Sequence, residues 1–99
     1  MDRVDLLRFY LDPATGEPHI YEHGVSEEEV EEVLANPGEE RPGRGTSRVV
    51  IGATAAGRIL RVFYAPDPDP HTLFVITAYD LRGKPLAAYR RRQRRKRRR

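Results

Sequence analysis

One segment of the chain has the apolar spacing of an amphipathic helix. Ser26 and Glu29 form a capping-box pattern, in which the side chain of each residue reaches the backbone N–H of the other at a helix start. The apolar positions that follow share one helical face: Val30, Val33 and Leu34. The Asn-Pro-Gly sequence at 36–38 ends the pattern. We therefore predict a helix that begins at Ser26 and buries this face.

Three later segments favour strands because they are rich in β-branched and aromatic residues. They span residues 48–54, 58–65 and 72–80, and turn-forming residues separate them, so we expect an antiparallel meander. Residues 39–47, rich in Gly, Pro and charge, predict a loop. Residues 6–11 fit a short strand or the end of a helix. The pattern indicates an α+β protein.

Charge divides the chain into two parts. Residues 1–89 carry nine Lys or Arg against 15 Asp or Glu, whereas nine of the last ten residues are Lys or Arg. We predict one acidic domain over residues 1–89 and a disordered arginine-rich tail over residues 90–99. Leu86 to Tyr89 could begin a helix that runs on into the tail. A cationic arm favours a polyanionic partner such as RNA or the ribosome. Opposite charges in one chain also favour self-association, so a homo-oligomer is possible.

Composition excludes several classes of protein. The chain has no cysteine, so it has neither disulfides nor a thiolate metal site, which fits the cytoplasm. It shows no signal peptide and no apolar run long enough to span a membrane, so we expect a cytoplasmic protein without a membrane partner.

The segment His19 to His23 reads H-x-x-E-H, the pattern of one class of zinc peptidase. Pro18 and Gly24 leave under two helical turns for it, and a third zinc ligand has little room downstream, so we predict no metal and no cofactor. The two imidazoles instead suit proton transfer near neutral pH, as RNA cleavage by its own 2′-hydroxyl requires. Alternatively, His23-Gly24 is simply the C-cap of a short helix.

Several cations lie in or beside the predicted strands. Arg48, Arg61 and Arg82 are candidates to bind phosphate, which makes them candidate catalytic residues together with His19 and His23. The candidate nucleic-acid contacts are Arg58, Tyr79, Lys84, Tyr89, Arg90, Arg91, Arg92, Arg94 and Arg95. Among these, the tyrosines would stack on bases unless the core buries them.

Short motifs spread over residues 8 to 80 resemble the BrnT-type toxins, a family of the RelE/ParE-like toxin superfamily. Phe9, Asp12 and then His23-Gly24-Val25 ahead of an acidic helix follow the family spacing. The later matches are Arg48 with Ile51-Gly52, Gly57-Arg58, Tyr64 and Ile76-Thr77-Ala78. The chain departs from the family pattern at three positions: Thr15 stands in place of Lys, His19 in place of Asn and Tyr79 in place of Arg.

The resemblance implies a curved antiparallel sheet of three to four strands packed against one or two helices. It also implies a toxin that cleaves mRNA as a metal-independent endoribonuclease and is neutralised by a small DNA-binding antitoxin. The departures remove cations that would offset charge on phosphate, so activity would depend on other groups. Arg82 could replace the missing Arg, and His19 is either an acquired catalytic residue or a tolerated substitution. Two other functions stay open: a non-catalytic RNA- or ribosome-binding module with the tail as its main contact, and a regulatory protein that binds a partner through its acidic helix.

Overall fold

A five-stranded mixed sheet with two α-helices forms the protein in the computed structural model, which describes residues 6–97. The strand order is β1-β5-β4-β3-β2. The strands are β1 (Leu6–Phe9), β2 (Glu39–Pro42), β3 (Arg48–Ala53), β4 (Ile59–Pro66) and β5 (Thr72–Asp80). The helices are α1 (Glu27–Ala35), α2 (Gly83–Arg97) and a short 3-10 helix (His19–His23). The predicted α+β class is confirmed.

Helix α1 begins where the capping box predicts. The backbone N–H of Glu29 donates to Ser26 Oγ (3.1 Å), and the backbone N–H of Ser26 donates to Glu29 Oε1 (3.0 Å). Val30 and Val33 on its inner face are fully buried. Two N–H groups that a helix start leaves unpaired are thus satisfied, and the apolar face lies on the sheet.

The antiparallel meander β3-β4-β5 is confirmed, but the sheet is larger than the predicted three to four strands. Strand β1 pairs parallel to β5, and β2 pairs antiparallel to β3. The loop prediction is wrong for residues 39–42, because β2 is a charged edge strand that pairs through its backbone and has no apolar alternation to reveal it.

Different helices pack on the two sides of the sheet. The side under α1 and the 3-10 helix holds the main core: Ile20, Val25, Val30, Val33, Val50, Leu60, Val62, Val75 and Ala78. On the opposite side α2 covers one end, where Ile51, Leu81 and Tyr89 are buried together. The remainder of that opposite side carries Arg61 and Tyr79, two residues of the site described below.

The predicted disordered tail is helical in the structure as far as Arg97. Tyr89 is only 6% exposed, and Leu86 packs against the same small core. Arg92 forms a two-fold ion pair with Glu39, and Gln93 and Lys96 donate to the carbonyl of Gly38. The prediction of disorder took account only of charge repulsion within the tail. In the fold, Glu39 supplies an anionic partner, and Tyr89 and Leu86 supply apolar contacts.

Candidate functional site

The site forms where the 3-10 helix packs beside β5. Strand β1 pairs with β5 as far as Phe9, which lies opposite Val75. The residue after Phe9, Tyr10, donates its backbone N–H to the Val75 carbonyl (2.9 Å). The chain then turns back, and the N–H of His19 donates to the Tyr10 carbonyl (2.9 Å). This return places the 3-10 helix next to the last residues of β5.

Four side chains from three elements meet there, and we call them the His–Arg–Tyr cluster: His19, His23, Arg61 and Tyr79. The ring centres of His19 and His23 are 5.2 Å apart, and those of His23 and Tyr79 are 5.8 Å apart, both edge-to-face. Arg61 lies opposite Tyr79 in the β4–β5 register, and its Nη1 donates to Tyr79 Oη (3.4 Å). The structure thus connects two predicted proton-transfer residues, through Tyr79, with a predicted phosphate ligand.

Aromatic rings extend the His–Arg–Tyr cluster at both ends. The Tyr10 ring centre lies 6.1 Å from that of His19, and the Phe63 ring centre lies 5.8 Å from that of Tyr79. Tyr10 and His23 are exposed, while Arg61 and Tyr79 are half-buried. A ligand can therefore reach both imidazoles and find flat apolar surfaces on either side, as stacking on bases requires.

The Asp12 carboxylate orients the His19 ring. Asp12 Oδ1 accepts from the N–H of Ala14 (2.8 Å), and Oδ2 lies 3.6 Å from His19 Nδ1, forming an ion pair when the ring is protonated. Glu22 lies beside the same carboxylate, and this contact lowers the pKa of Asp12 and raises the pKa of Glu22, because the two groups share a proton. The negative charge beside His19 is thereby concentrated on Asp12.

Arg61 differs from the other strand cations in its partners. Within residues 6–97, no carboxylate lies within 4.0 Å of its guanidinium, whereas Arg48, Arg58 and Arg82 each have at least one such partner. A cation with no carboxylate neighbour, held at the surface by a tyrosine, is available to an anionic ligand. This is the electrostatic feature that distinguishes the cluster from the rest of the sheet.

The structure separates Arg48 and Arg82 from Arg61. Arg48 pairs with Tyr64 in the register while Arg61 pairs with Ile51, so Arg48 and Arg61 point to opposite sides of the sheet. Arg48 Nε donates to Glu40 (2.9 Å), and this contact raises the pKa of Arg48. Arg82 is 82% exposed and pairs with Asp80 (2.9 Å). The predicted set of three arginines is therefore not one phosphate site.

Arg58 connects three backbone segments. Its guanidinium donates to Asp80 Oδ1 (2.6 Å), Glu29 Oε1 (2.8 Å) and the carbonyl of Gly24 (2.9 Å). The carboxylates of Asp80 and, to a smaller extent, Glu29 raise the pKa of Arg58. Gly24 follows His23 and Asp80 follows Tyr79, so Arg58 holds the backbone beside two members of the His–Arg–Tyr cluster. We therefore place it among the supports of the site rather than among its RNA contacts.

The predicted nucleic-acid contacts of the tail divide between the two sides of α2. Tyr89 is buried in the small core and is not available for stacking, and its burial raises its pKa. Arg92 is occupied by Glu39. Arg90 and Arg94 line a groove of about 450 Å³ together with Ile59, Gln93 and Arg97. Exposed positions remain at Lys84, Arg91 and Arg95.

Sequence reasoning missed the contribution of Tyr10 to the site, and it considered Asp12 only as part of a turn and of a family spacing. Tyr10 lies just before an Asp-Pro turn, and Asp12 is the first residue of that turn. That turn returns the chain, so it was the signal that residues before it would meet residues after it. Residue spacing alone could not show that His19 is the residue that Tyr10 and Asp12 meet after the turn.

A family model described as a domain of unknown function, DUF4258, matches residues 19–80. The match covers more than half of the chain and contains the whole His–Arg–Tyr cluster, while β1 and α2 lie outside it. No curated protein and no solved structure matches the chain.

Proposed function

We propose that this chain, which belongs to the DUF4258 family, is a toxin-like protein of a bacterial toxin–antitoxin pair that cleaves mRNA without a metal ion. The observation that carries the proposal is the continuous row of side chains from His19 through His23 and Tyr79 to Arg61, a cation without a carboxylate neighbour among the described residues. The resemblance to BrnT-type toxins supports the same activity, and the α+β meander is compatible with the RelE/ParE-like fold that we include in the proposal.

The reaction is an attack of the RNA 2′-hydroxyl on the adjacent phosphorus. One imidazole removes the hydroxyl proton, the 2′-oxygen bonds to phosphorus, and the bond to the 5′-oxygen breaks. The second imidazole, already protonated, gives a proton to that leaving oxygen. The products are a 2′,3′-cyclic phosphate and a 5′-hydroxyl, so no water and no metal ion enters this step.

The surroundings of the two imidazoles suggest their roles. His19 Nδ1 lies 3.6 Å from Asp12 Oδ2, which can form an ion pair with the ring once it carries the proton to be donated, so we assign His19 the role of acid. His23 is exposed and stands nearer to Tyr79, so we assign it the role of base. Arg61 lies beside Tyr79 and offsets the charge that develops on the phosphate oxygens.

Cleavage of an mRNA by the purified full chain tests the proposal. We expect His23→Asn and Arg61→Gln each to lower the rate by about 100-fold or more, in line with the loss of a proton-transfer group or of transition-state charge. His71→Asn and Arg44→Gln are matched controls, because both residues are exposed and lie outside the His–Arg–Tyr cluster. Product ends that are not cyclic phosphates, or equal loss in the controls, would count against the mechanism.

Expression in bacteria tests the toxin role. The wild-type chain should arrest growth, and Arg61→Gln should relieve the arrest at equal protein level. The proposal requires a small DNA-binding antitoxin, and co-expression of a candidate from the adjacent reading frame should restore growth through complex formation. Normal growth with intact mRNA under expression of the wild-type chain would remove the toxin proposal.

A second candidate function is a non-catalytic RNA- or ribosome-binding module, which the arginine-lined groove of α2 favours. Arg90, Arg94 and Arg97 line this groove beside apolar Ile59, so it can follow a phosphate backbone without reading its sequence. RNA binding without cleavage, unaffected by Arg61→Gln and weakened by Arg90→Gln with Arg94→Gln, would favour this candidate.

A further inference from the structure

Three potential metal ligands converge at the edge of the His–Arg–Tyr cluster. Asp12, His19 and Glu22 each offer one ligand atom, and these three atoms lie within 4.8 Å of one another. Asp12 comes from the turn after β1, and the other two come from the 3-10 helix. The chemistry of the set is one imidazole nitrogen and two carboxylate oxygens, which suits first-row divalent ions such as Zn²⁺.

The pitch of the 3-10 helix explains why these residues meet. With three residues per turn, His19 and Glu22 are eclipsed on one side, whereas His23 is displaced by a third of a turn. The ligand set therefore differs from the H-x-x-E-H peptidase pattern, in which the two histidines bind zinc on an α-helix. In this protein the second ligand is Glu22, which lies between the two histidines, and the third is Asp12, which lies upstream of them.

The separations fit one ion with little rearrangement. Ligand atoms on a tetrahedral zinc lie about 3.4 Å apart, because each bond is about 2.0–2.2 Å long. His19 Nδ1 and Asp12 Oδ2 are already 3.6 Å apart. The Ala14 N–H fixes the other oxygen of Asp12 at 2.8 Å, which orients the free oxygen toward His19. Glu22 is exposed, so its flexible side chain can close the remaining distance.

We propose that Asp12, His19 and Glu22 form a binding site for a single Zn²⁺-like ion, and that occupancy of this site inhibits the proposed ribonuclease. The inhibition rests on the proposed function, because the ion takes the nitrogen lone pair of His19 and removes the acid of the reaction. Binding itself does not depend on that function. The site therefore acts as a regulatory metal site beside the catalytic residues.

Metal binding by the chelator-treated full chain tests the site directly. Titration with Zn²⁺ by calorimetry, and with Co²⁺ by its visible absorption, should show one ion per chain. Glu22→Gln and Asp12→Asn should each weaken binding by about tenfold or more. His71→Asn and Glu31→Gln, which replace an exposed histidine and an exposed glutamate elsewhere, should bind as the wild type does. Circular dichroism confirms that each variant is folded.

The outcomes separate the two proposals. Saturable 1:1 binding that Glu22→Gln and Asp12→Asn weaken supports the site, whereas absent binding, or binding that both variants retain, overturns it. Addition of Zn²⁺ should slow RNA cleavage by the wild type and leave Glu22→Gln much less affected; equal inhibition of both would overturn the regulatory role. A chain that binds Zn²⁺ specifically but cleaves no RNA would retain the metal site and refute the ribonuclease.

Discussion

Replacing Arg58 with Met removes a connection between three parts of the fold while keeping an unbranched, apolar side-chain stem. Arg58 joins Gly24 at the end of the 3-10 helix, Glu29 at the start of α1 and Asp80 at the end of β5. The Met side chain replaces the aliphatic stem of Arg58, but it does not reach the place of the guanidinium and leaves these acceptors without their donor. We therefore expect lower stability and a less well-ordered His–Arg–Tyr cluster.

The contacts set the size of the effect. A hydrogen bond to a charged group contributes about 1.5–3 kcal/mol, and three such contacts are lost. The loss is below their sum, because the Arg58 side chain is 28% exposed, Asp80 keeps Arg82, and Glu29 keeps the Ser26 N–H. We predict a decrease of about 2–3 kcal/mol in the free energy of unfolding, which lowers the melting temperature by about 10–20 °C.

Acid pH should abolish most of this difference. The Ser26 N–H and then Arg58 lower the pKa of Glu29, and Arg58 and then Arg82 lower the pKa of Asp80. Carboxylates whose pKa is lower in the folded state stabilise the fold above their unfolded pKa. They lose this contribution as the pH falls through the folded pKa. The difference between wild type and Arg58→Met should therefore be full at neutral pH and shrink below about pH 4.

Urea unfolding followed by circular dichroism at pH 7 and pH 3 measures both effects. Arg44→Gln serves as the control, since it removes an exposed loop arginine. Arg58→Lys should fall between wild type and Met, because an ammonium group cannot reproduce the fork of a guanidinium. A loss below about 0.5 kcal/mol, or a difference that is equal at both pH values, would refute the interpretation of Arg58 as a connecting residue.

Three further predictions concern α1 and α2. Gly38→Ala would place the new Cβ 2.0 Å from Tyr89 Oη, so it should lower the free energy of unfolding in urea by about 1–3 kcal/mol. Adding Tyr89→Phe should restore part of that loss, and no restoration would exclude this clash as the cause. Ser26→Ala should cost about 1 kcal/mol through loss of the capping box, and an unchanged unfolding midpoint would contradict this. Arg90→Gln combined with Arg94→Gln should reduce the slope of log K against log salt for single-stranded RNA by about 1.4, and an unchanged slope would remove the groove as a phosphate track.

Local sequence patterns predicted the elements whose signals lie within a few residues. The capping box located α1, and β-branched content located β3, β4 and β5 to within one residue at each end. These signals suffice because helix caps and strand alternation depend on neighbouring side chains. The charged strand β2 escaped prediction because it pairs with the neighbouring strand β3 through its backbone and carries no apolar alternation.

The candidate site could be predicted only as a collection of residue types. The sequence indicated two histidines at a short spacing and several strand arginines, but it could not choose among Arg48, Arg61 and Arg82. The choice follows from the β-strand register, which places Arg48 and Arg61 on opposite sides, and from the carboxylates that Arg48 and Arg82 meet. Strand pairing and the packing of side chains in the fold decide both, and the residue pattern within one strand encodes neither.

The sequence by itself determined that this protein has an acidic body, a strongly basic end and an α+β order of elements, because charge and periodicity are properties of the chain. Only the tertiary structure decided what the basic end does. Burial of Tyr89 and the Arg92–Glu39 ion pair make it a helix of the fold, and the return at Asp12 brings His19 to the cluster. Contacts between residues far apart in the chain depend on the packed fold, which is why they appeared only there.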